Sequence, residues 1–229
     1  MSIFRNHLPI MGASGQSTGY EINQSMRFNR NNSAHMHRTP SSAGERKKFT
    51  LSCWFKRGLL NTATGAGGAG GFQTILGVRT DSSNRSLVLF DSTQSSDFNR
   101  LYFYIATSGS TRLLIKTSAK FRDPSAWYHL VYSVDTTQDL SSERAKIYIN
   151  GLRITNFSAA TYPAEDLDTP NNNTSTQHTV GGENSSGNEA YFDGYLAEYH
   201  YSDGYSYTPS DFGEFKEDTD IWIPKQADI

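Results

Sequence analysis

The stretch at residues 127–157, WYHLVYSVDTTQDLSSERAKIYINGLRITNF, restricts the fold of this chain more than any other. In its first nine residues, apolar and aromatic side chains alternate with polar ones, which is the period of a β-strand with one buried face. Val131 is the one residue that interrupts this alternation. A polar run follows, and the alternation resumes at residues 145–149. The stretch therefore predicts two strands that each bury one face.

Asn150-Gly151 follows the second of these strands at once. Both central residues of a type I′ turn need a positive φ, which Asn and Gly tolerate. An Asn-Gly pair after an alternating run is the strongest short-range signal for a hairpin. We therefore expect residues 152–157 to form the partner strand.

Further strand candidates recur along the chain and are separated by clusters of Ser, Asp, Asn and Gly. They lie at residues 25–29, 34–38, 49–57, 73–79, 86–91, 100–106, 112–116, 177–181 and 191–202. The third is expected to be central, because every second residue is apolar: Phe49, Leu51, Cys53 and Phe55. Such frequent turns, without a convincing helical stretch, predict an all-β antiparallel sandwich.

The composition limits the classes of function. A length of 229 residues suits one all-β domain with an arm, and an aromatic content of 13% is typical of an ordered protein. A formal charge of -2 provides no basic field for nucleic acid. No run approaches the roughly 20 apolar residues of a membrane span, and the N-terminus does not resemble a signal peptide. We therefore expect neither nucleic-acid binding nor a membrane span.

The chain is predicted to divide into an extended N-terminal arm (residues 1–23), a sandwich (24–216) and a C-terminal tail (217–229). The arm is either a disordered tail or an anchor that docks on a neighbouring subunit. Its candidate assembly contacts are Ile3, Phe4, Leu8 and Ile10. In the tail, Trp222 belongs to a small apolar group that we expect to pack on the domain or on a neighbour.

Three segments resemble a known family. WYHLVYSVD, followed after a loop by KIYINGLRI, is similar to the centre of laminin G-like and concanavalin A-like lectin and glucanase domains, which are jelly-roll β-sandwiches. Residues 192–215 look like the closing strand and terminal turn of versions common in virion proteins of tailed phages, and residues 22–58 look like their opening. The resemblance implies a jelly roll, a fold that hosts lectins, hydrolases and structural modules alike.

Motifs for catalysis are weak. The family's laminarinase-like hydrolases carry two glutamates and an aspartate on one face of a strand, in the pattern E-x-D-x-x-E or E-x-D-x-E, and this sequence has no match. Asp193 and Glu198 are five residues apart, so a regular strand would place them on opposite faces. The run at residues 65–70 fits G-x-G-x-x-G but precedes a strand and not a helix, which favours a hairpin loop. We therefore predict that the protein is not an enzyme.

Evidence for a cofactor is equally limited. His35 and His37 would share one face of a strand, but two histidines without a third ligand favour a surface or interface role. Many laminin G-like domains hold calcium through loop oxygens. The loops here offer such ligands at Asp81, Asp91, Asp97, Asp168 and residues 171–173, although the same residue types also make turns. The sequence therefore predicts no cofactor and leaves calcium open.

The densest aromatic cluster lies at residues 199–207. Flat rings beside polar donors are what a sugar site needs, so the candidate carbohydrate-binding residues are His200, Asp203, Tyr205 and Tyr207. Tyr199 and Tyr201 alternate with His200 and are expected to point into the core. The alternative for the whole cluster is core packing or a subunit contact.

These patterns lead to one prediction and one alternative. The prediction is a non-catalytic virion structural protein of a tailed bacteriophage, either a capsid decoration protein or a head or tail fibre. Its expected partners are other virion proteins and further copies of itself. The alternative is a carbohydrate-binding adhesin module that contacts host surface glycans.

Overall fold

The computed structural model describes residues 20–60, 71–92, 96–174, 176–183 and 190–229. The predicted arm contacts Ile3, Phe4, Leu8 and Ile10 and the glycine-rich run at residues 65–70 lie outside these residues. Over the described part of the chain, no helix is long and apolar enough to cross a membrane.

The described residues form fifteen strands and three short 3-10 turns. The strands are β1 (Met26–Phe28), β2 (Met36–Arg38), β3 (Lys48–Arg57), β4 (Phe72–Arg79), β5 (Arg85–Asp91), β6 (Arg100–Thr107), β7 (Ser110–Lys120), β8 (Tyr128–Asp135), β9 (Ala145–Ile149), β10 (Leu152–Arg153), β11 (Phe157–Thr161), β12 (Gln177–Val180), β13 (Gly194–Asp203), β14 (Gly213–Phe215) and β15 (Trp222–Pro224). The 3-10 turns are Arg30–Asn32, Ser141–Glu143 and Pro209–Asp211.

Two antiparallel sheets form the sandwich. One has six strands in the order β1-β13-β3-β8-β9-β10, and the other has seven in the order β11-β7-β6-β5-β4-β12-β2. Strands β14 and β15 pair with each other as a separate hairpin. This architecture confirms the predicted all-β antiparallel jelly-roll sandwich.

The core lies between the sheets. The alternate residues of β3 supply its centre, and Phe49, Leu51, Cys53 and Phe55 are all 0% exposed. Full burial of one such aliphatic or aromatic side chain contributes about 1.5–3 kcal/mol. Burial also raises the pKa of the Cys53 thiol, which therefore behaves as a small apolar side chain.

The Asn150-Gly151 hairpin is confirmed, since the two residues have φ values of 49° and 79°. The prediction that all of residues 152–157 pair with the preceding strand is wrong. Leu152 and Arg153 pair with β9, and the Ile154 N–H still donates to the Ile147 carbonyl at 2.8 Å. Phe157 then begins a strand that pairs with β7 in the opposite sheet. The chain changes sheets here, with Ile154 packing against the core.

The C-terminal segment covers the outer face of the six-stranded sheet. Trp222 packs over Gly151, where a side chain would overlap the indole ring. The Ser206 hydroxyl is 2.7 Å from the Ser133 hydroxyl on β8. Because of this cover, β8 is buried on both faces, which explains why Val131 interrupts the alternation in the sequence.

Candidate ligand-binding site

A cavity of about 350 Å³ opens between the two sheets along one side of the sandwich. The chain passes from β1 in one sheet to β2 in the other through the 3-10 turn at Arg30–Asn32. The cavity has an apolar floor, aromatic walls and a polar rim. Its lining includes Met36, Leu76, Val180, Tyr199, Tyr201, His178, Asn172 and Asp203. We refer to it as the inter-sheet cavity.

A β-bulge in β13 decides which residues reach this cavity. Ala197 pairs with Trp54 and His200 pairs with Ser52, so two residues of β13 stand opposite one residue of β3. Glu198 adopts φ 45° at this point. The extra residue lets both Leu196 and Tyr199, three positions apart, pack on the inner face. Asp203 then follows in the same alternation and lines the cavity.

The rim of the cavity is held by the Asp203 carboxylate. Its Oδ1 atom accepts hydrogen bonds from the Glu45 backbone N–H at 2.8 Å and from the Asn172 side-chain amide at 2.9 Å. The same amide donates to the Glu45 carbonyl at 2.7 Å, and the Gly44 N–H donates to the Asn172 carbonyl at 2.9 Å. A side chain at Gly44 would overlap the Asp203 carboxylate. The loop is therefore closed tightly around this acid.

The second oxygen of Asp203 lies next to Gly44. Within the described part of the chain, Oδ2 has no hydrogen-bond donor, and the residue is exposed at the mouth of the cavity. A carboxylate fixed through one oxygen and free at the other can accept a hydrogen bond from a ligand hydroxyl.

The histidine beside Asp203 is uncharged, although Arg38 lines the same cavity and, in addition to burial, lowers the pKa of His178. The Asn172 backbone N–H donates to Nε2 of His178 at 3.1 Å, so Nδ1 carries the hydrogen and donates to the Thr176 carbonyl at 3.2 Å. Burial lowers the pKa of His178 and favours this uncharged form. The ring meets Tyr201 edge to face at 5.5 Å, and burial raises the pKa of that tyrosine. The Tyr201 hydroxyl accepts a hydrogen bond from the Asn171 side chain at 2.9 Å.

Tyr205 and Tyr207, in the segment that follows β13, stack on each other with ring centroids 5.6 Å apart. The Thr50 hydroxyl holds both, since it donates to the Tyr205 carbonyl at 2.8 Å and accepts from the Tyr207 N–H at 2.9 Å. Tyr205 is 63% exposed, whereas Tyr207 also contacts Phe212. One ring of the pair is therefore open to solvent.

The structure separates the four predicted sugar-binding residues. Asp203 lines the inter-sheet cavity, whereas Tyr205 is exposed and does not line it. His200 points to the outer side of the sheet, where its Nε2 atom is 3.1 Å from Glu198 and its ring contacts Phe212. Tyr207 contacts the same Phe212 ring. The expectation that Tyr199 and Tyr201 pack against the core is confirmed.

The sequence analysis missed Asn172, His178 and Gly44 as parts of this site. Asn172 was considered only as a calcium ligand, within an Asn run that also suits a turn. A glycine before an acidic residue in a charged loop was the one weak signal for Gly44. Their grouping around Asp203 depends on contacts between distant segments of the chain.

A Ser–His pair on the outer face is structural. His129 Nε2 is 2.9 Å from the Ser52 hydroxyl, and Trp222 donates its indole N–H to His129 Nδ1 at 3.0 Å. The indole bond leaves the hydrogen on Nε2, so the imidazole cannot accept a proton from Ser52. Burial lowers the pKa of His129 to about 3. In this position Trp222 packs on its own domain, and its contact with another subunit stays a prediction.

Three acidic residues considered in the sequence analysis already accept hydrogen bonds from other groups of the protein. Asp193 accepts from Arg27 at 3.1 Å and from the Leu59 N–H at 3.0 Å. Asp97 accepts from Lys116 at 2.9 Å, and Asp81 caps its own turn through the Ser83 N–H at 2.7 Å. Among the described residues, no three His, Cys, Asp or Glu side chains are grouped so that they could hold a metal ion.

Comparison with known proteins assigns the family. The model of the concanavalin A-like lectin/glucanases superfamily matches residues 14–207. The chain therefore belongs to this superfamily, as its sequence resemblance implied. No curated protein sequence matches the chain significantly.

Solved structures share the fold at low identity. The NanB sialidase of Streptococcus pneumoniae has a TM-score of 0.51 and 14% identity over 83% of this chain and 28% of that chain. Full-length tailspike protein 2 of an Escherichia coli O157:H7 bacteriophage has a TM-score of 0.51 and 13% identity over 82% of this chain and 23% of that chain. This chain thus spans about a quarter of each. At such identities the likeness establishes the fold alone.

Proposed function

We propose that this protein is a non-catalytic carbohydrate-binding module whose sugar site is the inter-sheet cavity. The observation that carries the proposal is the Asp203 carboxylate on the rim of an aromatic-walled cavity, which is fixed through Oδ1 and has no hydrogen-bond donor at Oδ2 among the described residues. A pocket with apolar and aromatic walls and a few fixed polar groups is typical of small-molecule recognition. Sugars match it because they present both apolar C–H faces and directional hydroxyl groups.

The lining of the cavity favours binding over hydrolysis. Asp203 is the one carboxylate among its described lining residues. Glycoside hydrolysis normally needs two carboxyl groups that face each other across the scissile bond. A single acid that already accepts two hydrogen bonds is suited to orient a hydroxyl group.

Binding can be tested by calorimetric titration of the full chain with host surface polysaccharides and their oligosaccharides. We expect Asp203→Ala to weaken binding by tenfold or more, because a hydrogen bond to a charged group contributes about 1.5–3 kcal/mol. Glu214→Ala is the matched control, since this exposed acid lies on β14, away from the cavity. Equal affinity of the Asp203→Ala variant and the wild type would contradict the site. Release of new reducing ends would contradict a non-catalytic role.

We also propose that the protein is a structural component of a tailed-phage particle, as capsid decoration or as part of a head or tail fibre. The support is the resemblance of residues 22–58 and 192–215 to the opening and closing segments of virion proteins. In this setting the module would contact a host glycan while its arm contacts a neighbouring subunit or another virion protein.

This second proposal is tested on purified particles. Mass spectrometry should detect the chain in particles, and cryo-electron reconstruction should locate it on the capsid or on the tail. Replacement of Ile3, Phe4, Leu8 and Ile10 by serine should abolish incorporation, whereas Arg5→Ser should not. Particles that lack the chain altogether would contradict a virion role.

A further inference from the structure

A second recess, of about 310 Å³, lies on the outer face of the six-stranded sheet. Trp54 of β3 and Trp127, which directly precedes β8, form its aromatic walls. Pro224 of the C-terminal hairpin closes one side, and residues 22–25 form the rim. We refer to this site as the tryptophan recess.

The protein holds the Trp54 ring rigidly. Trp54 stacks on His129 with ring centroids 5.0 Å apart, and His129 stacks on Trp222 at 5.9 Å. The three rings are nearly parallel, with interplanar angles of 24° and 17°. Because His129 is also hydrogen-bonded on both sides, this stack fixes the wall of the recess before any ligand binds.

The indole N–H of Trp54 is an unused donor. The side chain is 8% exposed, and its N–H makes no hydrogen bond with the described residues but is open to solvent. The exposed part of Trp54 lines the recess, so a ligand there can replace water as the acceptor.

The remaining walls also suit a ligand that is both flat and hydroxylated. Trp127 is 37% exposed and meets Tyr195 at 6.4 Å, which leaves ring surface free for stacking. Asn23 makes one long hydrogen bond of 3.4 Å, to the Glu21 carbonyl. In the described part of the chain, the side chains of Gln24 and Ser25 make none. Among the residues that the structure describes, no ionisable side chain lines the recess, so its chemistry favours a neutral ligand.

We propose that the tryptophan recess is a second binding site, for a neutral pyranose ring. Trp127 stacks on the C–H face of the sugar, Trp54 donates its N–H to a sugar oxygen, and the Asn23 and Gln24 amides bind further hydroxyls. The inference rests on the proposed glycan-binding function for the class of ligand, but it uses a separate set of residues. Two sites on opposite sides of the sheet would let one subunit hold two segments of a polysaccharide, which raises avidity.

The test is a titration of the full chain with maltose, cellobiose, lactose and N,N′-diacetylchitobiose. Calorimetry and tryptophan fluorescence monitor the binding. We expect a saturable change in emission with at least one of these sugars. Trp127→Ala should weaken that binding at least tenfold. Trp54→Phe keeps an aromatic ring and removes the N–H, so it should weaken binding about fivefold. Leu140→Ala is the control, because this exposed side chain lines neither cavity, and it should leave the fluorescence response unchanged. The thermal midpoint verifies the folding of each variant.

Asp203→Ala separates this inference from the proposed function. If Trp127→Ala and Trp54→Phe reduce binding and Asp203→Ala does not, the tryptophan recess is a sugar site and the inter-sheet cavity is not. If Asp203→Ala alone reduces binding, the inference is wrong and the proposed function stands. The inference is also overturned if none of the four sugars saturates the fluorescence, or if a proline-rich peptide saturates it in their place.

Discussion

The two sides of the six-stranded sheet each carry a polar side chain, and the two side chains differ in how many of their hydrogen bonds are made within the protein. On the outer side, His129 is 1% exposed and both of its ring nitrogens are hydrogen-bonded, to Ser52 and Trp222. On the inner side, the Asp203 carboxylate is exposed and one oxygen is open within the described residues. A polar group whose hydrogen bonds are all made within the protein stabilises the fold, whereas an open one is available to a ligand. The difference separates structural polar groups from functional ones on a fold that lectins and hydrolases share.

The largest expected effect is a loss of stability at acid pH that His129 causes. The pKa of His129 is about 3 in the folded protein and about 6.5 in the unfolded chain. Below pH 6.5 the unfolded chain therefore binds a proton that the folded protein does not bind. Stability is therefore lost as the pH falls from 6.5 toward 3, by about 4 kcal/mol at pH 3.5. Urea unfolding of the wild type and of His129→Gln across this range measures the loss.

Comparison of these two proteins removes the contribution of the carboxylates, which also titrate below pH 5. Gln can accept from Trp222 and donate to Ser52 without titrating, so His129→Gln should lose much less stability between pH 6.5 and 3.5. If the stability of the two proteins fell in parallel as the pH is lowered, the folded protein would not disfavour protonation of His129.

The second effect tests the outer cover. Trp222→Ala removes a ring that contacts Phe215 and packs over Gly151 and Gly213, and it removes the donor to His129. We expect a loss of about 3 kcal/mol in the free energy of unfolding. Trp222→Phe keeps most of the packing and should lose about 1 kcal/mol, for the hydrogen bond alone. Trp127→Phe is the control and should change stability by less than about 0.5 kcal/mol. Equal losses in Trp222→Phe and Trp127→Phe would refute a stabilising role for the indole bond.

The third effect tests the inner side. Gly44→Ala adds a methyl group where the Asp203 carboxylate lies, so the acid must move away from Glu45 and Asn172. Sugar affinity measured by calorimetry should fall about tenfold, which corresponds to about 1.4 kcal/mol. Glu214→Ala lies away from the cavity and leaves the Asp203 hydrogen bonds in place, so its affinity should match the wild type. If Gly44→Ala binds as tightly as Glu214→Ala, Asp203 does not take part in the site.

The smallest effect concerns Tyr201, which lines the inter-sheet cavity on the inner side. Tyr201→Phe removes the acceptor of the Asn171 amide but keeps the ring between Phe49 and His178. We expect thermal unfolding to report a loss of about 1 kcal/mol. Asn171→Ala should cost a similar amount, and the double variant should cost less than the sum, because the two changes remove the same bond. Full additivity would mean that the bond does not contribute to stability.

Local patterns predicted much of the fold. The alternation in β3 and β8 depends on neighbouring residues alone, and so does the left-handed turn at Asn150-Gly151, so all three could be predicted from sequence. The exit from that hairpin could not, because the pairing of Phe157 with Thr117 joins segments forty residues apart. Strand alternation also shows why His200 and Asp203 cannot share a face, since they are three positions apart after the bulge.

The candidate site was predicted only in part for the same reason. Asp203 was identified because it follows a conspicuous aromatic run. Asn172 and Glu45, which hold its carboxylate, come from loops 31 and 158 residues away in the chain. The tryptophan recess likewise combines residues 22–25 with Trp54, Trp127 and the C-terminal hairpin.

The sequence by itself determined the all-β class, the positions of most strands and the superfamily, because period, turn chemistry and family resemblance are properties of short segments. The tertiary structure alone decided which polar groups make all their hydrogen bonds within the protein and which can bind a ligand. Glu198 illustrates the difference: it adopts φ 45°, which glutamate rarely does, at the bulge where two residues of β13 stand opposite one residue of β3. That single backbone conformation directs Tyr199, Tyr201 and Asp203 toward the cavity, since hydrogen bonds between distant strands outweigh the local preference of one residue.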